Sequence, residues 1–432
     1  MVELLTANGI SKGDKVALLS ENMPNWAVAY FATTYFGAVI VPILADFHPS
    51  DVHIILEHSE AKAVFVSEKH LKIIDEYNKP NIELVVKLNN LEIVNKPNNK
   101  NTTSDTQQKT EPNEDDMAAI IYTSGTTGNS KGVMLSHKNL VTNALSSYSK
   151  VKIFPSDKFL SILPLAHVFE CTVGLIIPVL HGCSIYYIDK TPTISVLLKA
   201  FKVVKPTMIL TVPLIIEKIY KKRVFEAIDN CIVRRNLYKI PFTRKILNII
   251  AGKKIIKAFG GKIRFFAIGG APLSPFTEEF LIEANFPYIV GYGLTESAPL
   301  IAGSVLGEKP KIKSTGTAMA GVELKIKNKN LQTGIGEICA KSPSIMMGYY
   351  KDKKTTDEVI EDGWLLTGDL GYIDEDGFLF ISGRNKNVII SSNGENIYPE
   401  QIESVINKHG AVLDSIVIQK DGKLIAMVSL DY

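Results

Sequence analysis

Short apolar runs alternate with helical patterns of apolar and polar residues through most of the chain. A run of four to eight apolar residues bounded by turn residues is typical of a strand buried on both faces. The strands predicted in this way include Lys15–Ser20, Ala63–Val66, Ala118–Tyr122, Phe159–Leu163, Met208–Val212, Phe265–Ile268 and Tyr288–Val290. The alternation predicts an α/β fold of layered, mostly parallel sheets with helices.

Two uncharged stretches, Trp26–Ala45 and Cys171–Ile188, approach the ~20 residues that a membrane-spanning helix requires. Gly37 and Pro42 interrupt the first stretch, and glycine and proline residues also interrupt the second. We therefore interpret each stretch as a buried helix followed by a buried strand, with a membrane span as the weaker alternative.

The pattern changes after about residue 316. Short strands with glycine-rich turns predict a small antiparallel β subdomain over 316–383. Residues 384–432 read as strand, helix and two strands, which predicts an incomplete, small α+β C-terminal domain. Residues 1–383 are then one large N-terminal domain, and its polar segment 95–116 is expected to be a surface loop.

Composition narrows the class of protein. The 432 residues are 46% hydrophobic and 22% charged, as in a globular protein with a substantial core. A net charge of +3, without interleaved aromatic and basic residues, argues against nucleic-acid binding. The four cysteines form no CxxC pair or zinc pattern, and no signal-peptide pattern begins the chain. We expect a cytoplasmic protein with free, mostly buried thiols.

Positive charge is concentrated in residues 217–264, which hold 14 Lys/Arg against 3 Asp/Glu, an excess of 14 − 3 = +11. Basic amphipathic segments can dock on anionic membranes, here the inner membrane surface. Such runs are equally often solvated helix faces. Both interpretations stay open at this point.

The segment Tyr122–Leu140, YTSGTTGNSKGVMLSHKNL, has the chemistry of a phosphate-binding loop. Its glycines let backbone N–H groups approach a polyanion, and its hydroxyls and Lys131 add donors and positive charge. It is not a Walker loop, and by composition alone a generic turn is equally reasonable. The predicted phosphate-binding residues are Thr123, Ser124, Gly125, Thr126, Thr127, Gly128 and Lys131.

The complete string closely resembles the signature loop of the adenylate-forming superfamily, which includes acyl-CoA synthetases, luciferases and the adenylation domains of peptide synthetases. In that family the loop holds the β- and γ-phosphates of ATP. The resemblance covers nearly the whole chain, with the motifs in family order. It implies ATP, Mg²⁺ and coenzyme A as cofactor and co-substrates.

Two further motifs match the nucleotide site of this family. FFAIGGAPL implies a turn along the adenine and the acyl pocket, formed by Gly269, Gly270, Ala271 and Pro272. GYGLTES contains Gly291, Tyr292, Gly293, Thr295 and Glu296. The resemblance implies that Tyr292 stacks on adenine, that Thr295 lies near the α-phosphate and that Glu296 binds Mg²⁺.

WLLTGDLG places Asp369 after a predicted apolar strand and a glycine turn. Aspartate in a turn is usually only a turn former. The resemblance instead implies a ribose clamp formed by Asp369 and Arg384. It also implies that Lys386 is the hinge about which the C-terminal domain rotates, and that Gly394 and Asn396 face the thioester-forming site.

LPLAHVFE, residues 163–170, resembles a segment near the acyl tunnel of fatty acyl-CoA synthetases. A lone histidine is more often a satisfied core residue, but the resemblance implies that His167 lines the active site. The implied reaction activates a medium- or long-chain fatty acid as acyl-AMP, releases pyrophosphate and forms the acyl-CoA thioester.

Family members usually extend beyond both ends of this sequence, and no Gly-Lys motif corresponding to the family's terminal catalytic lysine follows Arg384. We therefore expect ATP binding with slow or absent adenylation. Two alternatives remain: a catalytically dead remnant that binds nucleotide or acyl ligands, and an adenylating module that delivers its acyl group to an acyl carrier protein.

Overall fold

The computed structural model describes residues 1–77, 81–95, 111–123, 130–190, 192–390, 396–407, 412–420 and 423–430. Its α-helices are α1 (Val2–Ala7), α2 (Pro24–Tyr35), α3 (Pro49–Ser59), α4 (Leu71–Tyr77), α5 (His137–Ser147), α6 (Ile177–Leu180), α7 (Ile194–Val204), α8 (Pro213–Tyr220), α9 (Glu226–Asp229), α10 (Ile232–Tyr238), α11 (Pro241–Ala258), α12 (Pro275–Glu283), α13 (Lys353–Val359) and α14 (Pro399–Ile406). Its strands are β1 (Lys15–Leu19), β2 (Val39–Ile43), β3 (Ala61–Val66), β4 (Leu84–Lys87), β5 (Glu92–Asn95), β6 (Met117–Thr123), β7 (Lys131–Ser136), β8 (Lys158–Ser161), β9 (Ser184–Tyr187), β10 (Met208–Thr211), β11 (Phe265–Ile268), β12 (Tyr288–Gly293), β13 (Leu300–Gly303), β14 (Thr317–Ala318), β15 (Glu323–Lys327), β16 (Gly336–Lys341), β17 (Gly348–Tyr349), β18 (Ile360–Glu361), β19 (Trp364–Ile373), β20 (Leu379–Arg384), β21 (Ile389–Ile390), β22 (Asn396–Ile397), β23 (Val412–Lys420) and β24 (Lys423–Leu430). Two π-helical segments, Glu170–Ile176 and Lys221–Phe225, continue into α6 and α9, and 3₁₀ turns span Glu68–His70, Thr295–Ser297 and Asn385–Asn387.

The first sheet has the strand order β17-β7-β6-β2-β1-β3-β4-β5. Its centre is parallel, because β2, β1, β3 and β4 run in one direction and β6 joins β2 in parallel. Toward the edges, β5 and β7 run antiparallel to this centre, and β17 pairs antiparallel with β7. Apolar clusters cover both faces, so the β2 sequence VIVPI is buried at every position.

The second sheet has the order β14-β13-β12-β11-β10-β8-β9, and its strands from β12 to β9 are parallel. Helices α7, α8, α11 and α12 contribute buried residues to the core on one face. On the other face, α5 and the π-helical segment Glu170–Ile176 pack against the strands. The predicted strands Phe159–Leu163 and Met208–Val212 are present but end earlier, at Ser161 and Thr211.

Both uncharged stretches fold as a helix followed by a strand, as predicted. The first is α2 followed by the fully buried β2. The second is the π-helical segment and α6 followed by β9, which is a partly exposed edge strand and therefore corrects the prediction of a buried strand there. A glycine with positive φ, Gly37 or Gly182, follows the end of each helix, and each helix ends before it reaches the length of a span, whereas Pro42 lies within β2 and Pro178 within α6. Across the described ranges, no helix is both long and apolar enough to cross a membrane.

An antiparallel sheet of β15, β16, β19 and β18, extended by β20, follows the second sheet and confirms the prediction of a β-rich piece there. The chain then forms β21 and β22, α14, and the antiparallel pair β23 and β24. The predicted α/β fold class is confirmed. Of the polar segment 95–116, residues 96–110 lie outside the described residues.

Candidate active site

A hairpin of the first sheet carries the two ends of the predicted phosphate loop. Thr123 ends β6, Lys131 begins β7, and the two residues pair across the antiparallel ladder. The described residues do not include Ser124, Gly125, Thr126, Thr127 and Gly128, whose phosphate contacts stay a prediction.

Tyr349 links Lys131 to Glu296. The Tyr349 hydroxyl donates a hydrogen bond to Glu296 Oε1 at 2.7 Å, and Lys131 Nζ lies 5.1 Å from the centroid of the same ring. Tyr349 belongs to β17, which pairs with β7, so the strand that carries Lys131 also fixes the tyrosine. Burial and the Glu296 carboxylate raise the pKa of Tyr349, so its hydroxyl stays protonated as a donor. An ammonium, a phenol and a carboxylate thus form one cluster at the phosphate hairpin.

A tight turn between β12 and β13 sets the separation of Tyr292 and Glu296. The Leu294 N–H donates to the Pro299 carbonyl at 3.0 Å. A Cβ added to Gly293 would lie 1.8 Å from that same oxygen. Only glycine fits at this position, because a side chain would have to displace main chain. The turn therefore holds Tyr292 and Glu296 close together, with Thr295, which is half-buried, between them.

Asn143 of α5 fixes the same turn from a neighbouring helix. Its Nδ2 donates to the carbonyls of Ser297 at 3.0 Å and Leu300 at 2.8 Å, and its Oδ1 accepts from the Leu300 N–H at 3.2 Å. Helix α5 begins directly after β7 with a capping box. The helix that follows the phosphate hairpin therefore positions the turn that carries Glu296.

Glu296 is well suited to hold a divalent cation. Among the described residues, the only hydrogen bond to its carboxylate comes from Tyr349. No group of three or more His, Cys, Asp or Glu side chains within those residues could hold a metal ion. Mg²⁺ commonly takes one or two carboxylates and completes its shell with substrate phosphates and water. A single half-buried carboxylate near Lys131 and the phosphate hairpin fits that arrangement.

Tyr292 and Arg384 hold Asp369 from two sides. The Tyr292 hydroxyl donates to Asp369 Oδ2 at 2.7 Å, and Arg384 Nε lies 3.1 Å from Oδ1. Burial raises the pKa of Asp369, although both partners stabilise its charged form. The Arg384 side chain is 63% exposed and that of Asp369 only 10%, so the pair opens to solvent on the arginine side. A carboxylate held in this way can accept hydrogen bonds from the two hydroxyls of a ribose.

The position of Asp369 corrects the prediction that it follows a strand. β19 spans Trp364–Ile373, and within it Asp369 pairs with Arg384 of β20. Gly368 adopts a φ of +71° without ending the strand, and the pairing of β19 with β16 shifts register there. The glycine produces a β-bulge instead of a strand end.

Tyr292 is only 9% exposed, and it belongs to the apolar cluster between the second and third sheets. Its hydroxyl is committed to Asp369, as described above. Stacking of the ring on adenine stays a prediction, since the described residues give no nucleotide contact.

The glycine pair after β11 approaches Phe169 closely. A Cβ on Gly269 would lie 3.2 Å from the Phe169 ring, and Gly270 adopts a φ of +84°, which favours glycine. The exposed residues that complete this turn are Ala271 and Pro272. The turn therefore lies beside residues 163–170, the segment predicted to line the acyl tunnel and called the acyl segment below. A pocket for the acyl chain requires this proximity.

An apolar cavity of about 30 Å³ lies between α5 and the second sheet. Phe169 and Val173 line it from the acyl segment and the π-helix, and Gly291 lines it from β12. Because Gly291 directly precedes Tyr292, the cavity adjoins the turn described above. Its polar lining includes Ser147, the last residue of α5, and Lys150, which follows that helix.

His167 is exposed, so it is not a core histidine. The protein around its ring nevertheless desolvates it and lowers its pKa, against a smaller opposite effect of the Asp46 carboxylate. At neutral pH the ring is therefore an uncharged donor and acceptor. Its contact with an acyl substrate stays a prediction.

Glu170 is fully buried three residues after His167. Its Oε1 accepts a hydrogen bond from Ser161 at 2.6 Å, and Oε2 has no partner within the described part of the chain. Burial raises the pKa of Glu170 to about 8. Asn22 donates to Ser161 Oγ at 2.9 Å and to the Leu163 carbonyl at 2.6 Å. This buried chain of polar groups anchors the segment that carries His167.

The predicted hinge and thioester residues are described only in part. Lys386 is exposed in the 3₁₀ turn that follows Arg384. The backbone of Asn396 begins β22, and Gly394 lies outside the described residues. Their roles stay predictions.

The motifs did not identify Tyr349 or Asn143. Tyr349 stands in MGYYK, where two tyrosines after a glycine are the only signal. Asn143 is one polar position in an otherwise ordinary helix, and only the contact with the turn reveals its importance.

The cysteines are all free, but only Cys171 and Cys339 are buried. The expectation of mostly buried thiols therefore holds for two of the four, since Cys183 and Cys231 are partly exposed.

Comparisons with known proteins show the family of this chain. A family profile described as AMP-binding enzyme matches residues 3–350. The chain is 31% identical over 467 residues to long chain acyl-CoA synthetase 7, peroxisomal, of Arabidopsis thaliana, covering 99% of this chain and 66% of the relative. It is 29% identical over 462 residues to the long-chain-fatty-acid–CoA ligase FadD15 of Mycobacterium bovis, covering 99% of this chain and 74% of that protein. The chain thus spans about two thirds of the length of the first relative.

Solved structures share the fold. The o-succinylbenzoate CoA synthetase of Bacillus subtilis in complex with its acyl-adenylate intermediate superposes with a TM-score of 0.78 at 26% identity, covering 100% of this chain and 81% of that one. The same enzyme in complex with ATP and a magnesium ion also gives a TM-score of 0.78 at 26% identity, covering 99% and 82%.

Proposed function

This chain belongs to the AMP-binding enzyme family, and we propose that it uses ATP to activate a fatty acid as an acyl-adenylate and then transfers the acyl group to coenzyme A. One observation carries the proposal. The turn between β12 and β13 presents Tyr292, bonded to Asp369, at one end and Glu296, bonded to Tyr349, at the other. One short stretch of chain therefore carries partners of the predicted ribose-binding carboxylate and of the predicted phosphate-binding lysine, which supports a shared nucleotide site.

The first step joins the substrate carboxylate to the α-phosphorus of ATP and expels pyrophosphate. Lys131 and the phosphate hairpin stabilise the charge that develops on phosphate oxygens, while Asp369 and Arg384 hold the ribose. Thr295 is suited to a hydrogen bond with the α-phosphate. Mg²⁺ bound at Glu296 would supply further charge neutralisation on the phosphates.

The second step joins the thiol sulfur of coenzyme A to the acyl carbonyl carbon and releases AMP. The phosphate of AMP carries away the bonding electrons, and the thiol proton leaves to solvent. No protein nucleophile is required. His167 is not needed as a base toward the acid, because a fatty acid is already ionised near neutral pH.

The choice of a fatty acid rests on two supports. Both relatives named above are long-chain acyl-CoA synthetases or ligases. The cavity that adjoins Gly291 has an apolar lining that includes Phe169, and such a lining suits a hydrocarbon chain. The cavity of about 30 Å³ is too small for a long chain, so lining side chains such as Phe169 must move when the substrate binds.

The proposal is tested in two stages. Calorimetry measures ATP binding with Mg²⁺, and mass spectrometry then detects acyl-AMP and pyrophosphate with acids from C2 to C18. We expect ATP binding, and acyl-AMP that is formed preferentially from the longer acids. Lys131→Gln should weaken ATP binding, whereas Lys138→Gln, at a half-buried lysine in the first turn of α5, should not.

The outcomes separate the remaining alternatives. ATP binding without acyl-AMP indicates a nucleotide-binding protein and contradicts the proposed activation. Acyl-AMP that reacts with a carrier-protein thiol but not with coenzyme A contradicts the proposed acceptor. Absence of ATP binding contradicts the site itself.

A further inference from the structure

We propose that α10 and α11 form a docking surface for an anionic phospholipid membrane. This inference goes beyond the proposed function and does not rest on it. The α10–α11 surface consists of the exposed apolar residues Ile232, Val233, Leu237, Ile240, Phe242, Ile246 and Ile250, and of the exposed basic residues Arg234, Arg235, Lys239, Lys245, Lys253, Lys254 and Lys257.

Helix α11 is anchored to the protein by one face only. Arg244 and Asn248 donate hydrogen bonds to Glu283 at 2.6 and 2.7 Å. Gly252 packs so closely that a Cβ there would lie 2.7 Å from the Cβ of Ala284. These contacts hold the inner face of the helix against α12 and leave the opposite face to solvent.

The outer face of α11 carries one continuous stripe of side chains, apolar at its N-terminal end and basic at its C-terminal end. Phe242, Ile246 and Ile250 follow one another at four-residue spacing, which places them on one side of a helix. They are 74%, 42% and 47% exposed. Lys253 and Lys257 continue the same stripe toward the C-terminal end. Apolar side chains that can enter a bilayer therefore adjoin ammonium groups that can remain at its headgroups.

Helix α10 adds a second exposed segment beside α11. None of its seven residues is buried. Ile232 and Val233 are 69% and 65% exposed, which is unusual for two adjacent β-branched apolar residues. Tyr238 fastens the end of the helix by donating to Asn248 Oδ1 at 3.1 Å. The helix is thus fixed in place without contributing to a core.

The distribution of charge along the chain favours an anionic partner for this surface. The basic segment 217–264 carries a net +11, whereas the whole chain carries +3, which leaves −8 on the remainder. Residues 230–277 contain no aspartate or glutamate. Of the two arginines of the α10–α11 surface, Arg235 has a carboxylate nearby, that of Asp229 at 3.8 Å. A chain that is otherwise acidic thus concentrates its positive charge where its apolar side chains are exposed.

Two other partners fit less well. Single-stranded nucleic acid is bound by aromatic side chains on which bases stack, and Phe242 is the only aromatic residue of this surface. A second copy of the chain would bring two surfaces of the same sign together. A bilayer with anionic headgroups accommodates both the aliphatic side chains and the charge.

Vesicle flotation tests the proposal with the full chain. One vesicle type contains phosphatidylcholine alone, and the other contains equal parts of phosphatidylcholine and phosphatidylglycerol. We expect binding to the anionic vesicles at low salt, little binding to the neutral ones, and loss of binding at high salt. Failure to bind anionic vesicles at low salt overturns the proposal.

Two triple variants separate the contributions of charge and apolar contact. Lys245→Gln with Lys253→Gln and Lys254→Gln should lower the partition coefficient roughly 100-fold, at about fivefold per charge. Phe242→Gln with Ile246→Gln and Ile250→Gln should lower it at least about tenfold. Thermal melting checks that both variants remain folded. Unchanged binding by either folded variant contradicts the proposal.

Matched controls carry the same changes on exposed residues elsewhere in the chain, and we expect parental binding from both. The charge control replaces Lys69, Lys309 and Lys329 by Gln, and the apolar control replaces Val203, Leu331 and Val405 by Gln. Loss of vesicle binding in a control variant would show that binding does not depend specifically on the α10–α11 surface. A preference for single-stranded RNA over vesicles, or self-association abolished by the apolar triple variant, would replace the membrane as partner and overturn the proposal.

Discussion

The hydroxyl of Tyr349 donates a hydrogen bond to Glu296 Oε1 at 2.7 Å across 53 positions of sequence. The same ring lies against the ammonium of Lys131. A residue that no motif identified therefore connects the phosphate hairpin to the carboxylate proposed to hold Mg²⁺. This contact predicts a measurable dependence of metal binding on one hydroxyl group.

Tyr349→Phe removes only that hydroxyl. We expect the concentration of Mg²⁺ needed for half-maximal ATP binding to rise about tenfold, because a hydrogen bond to a charged group contributes about 1.5–3 kcal/mol. Calorimetric titration of ATP at a series of Mg²⁺ concentrations measures the shift. Tyr35→Phe, at a tyrosine that is 71% exposed on α2, serves as the control. An identical Mg²⁺ dependence in Tyr349→Phe and the parent would contradict a role for this hydroxyl.

Asp369→Ala removes the acceptor that Tyr292 and Arg384 hold. The affinity for ATP should fall about tenfold to a hundredfold, because ribose hydroxyls lose a charged hydrogen-bond partner. Competition between ATP and its 2′,3′-dideoxy analogue adds a sharper readout, since the parent should discriminate against the analogue and the variant should not. Asp357→Ala, an exposed aspartate on α13, is the control. ATP binding as tight in Asp369→Ala as in the parent would show that the ribose lies elsewhere.

Gly293→Ala places a Cβ 1.8 Å from the Pro299 carbonyl oxygen. Because main chain must move to relieve this overlap, we expect a loss of at least about 3 kcal/mol in stability together with weaker ATP binding. Gly307→Ala is a matched comparison, since its Cβ would meet nothing within 4 Å and its φ of +90° imposes only the usual cost for alanine. Melting curves and calorimetry measure both effects. A smaller loss at Gly293 than at Gly307 would mean that the turn is not as tight as described.

The buried carboxyl of Glu170 makes stability depend on pH. Its pKa rises from an ordinary value of 4.5 to about 8 in the folded protein. Between these two values the unfolded chain releases the proton and the folded chain retains it. The free energy of unfolding therefore falls as pH rises, by up to about 1.4 kcal/mol per pH unit from this group.

Glu170→Gln cannot ionise, so the variant should gain stability relative to the parent steadily as pH rises from about 5 to about 8. Urea unfolding at three pH values in this window measures the difference. Glu226→Gln, at an exposed residue of α9, should follow the parent. Parallel curves for Glu170→Gln and the parent would show that the carboxyl is already ionised in the folded state.

Periodicity predicted the layers because each buried parallel strand must be apolar along its whole length. Val39–Ile43 and Phe265–Ile268 are examples in which every position is buried. Strand ends were less predictable: Asp369 lies within β19 because Gly368 produces a bulge, and a bulge has the same sequence signal as a turn.

The site was predictable only where its residues are contiguous. Tyr292 and Glu296 share one motif, so their proximity follows from the sequence. Tyr349 and Asn143 reach the same turn only because β17 pairs with β7 and α5 packs against the turn. Such long-range pairing depends on the assembled sheet, which no local pattern encodes. The same holds for Glu170, whose burial depends on the strands around it.

Arg384 is both the exposed member of the Asp369 pair and the last residue of β20. The chain leaves the antiparallel sheet at that residue and enters the exposed turn that contains Lys386. Helix α14 also contacts this exit: Asn387 donates a hydrogen bond to Glu400 at 2.8 Å, and a Cβ on Gly383 would lie 2.7 Å from the same carboxylate. A ligand that orders the Arg384 side chain would therefore act on the C-terminal helix through side-chain contacts as well as along the backbone.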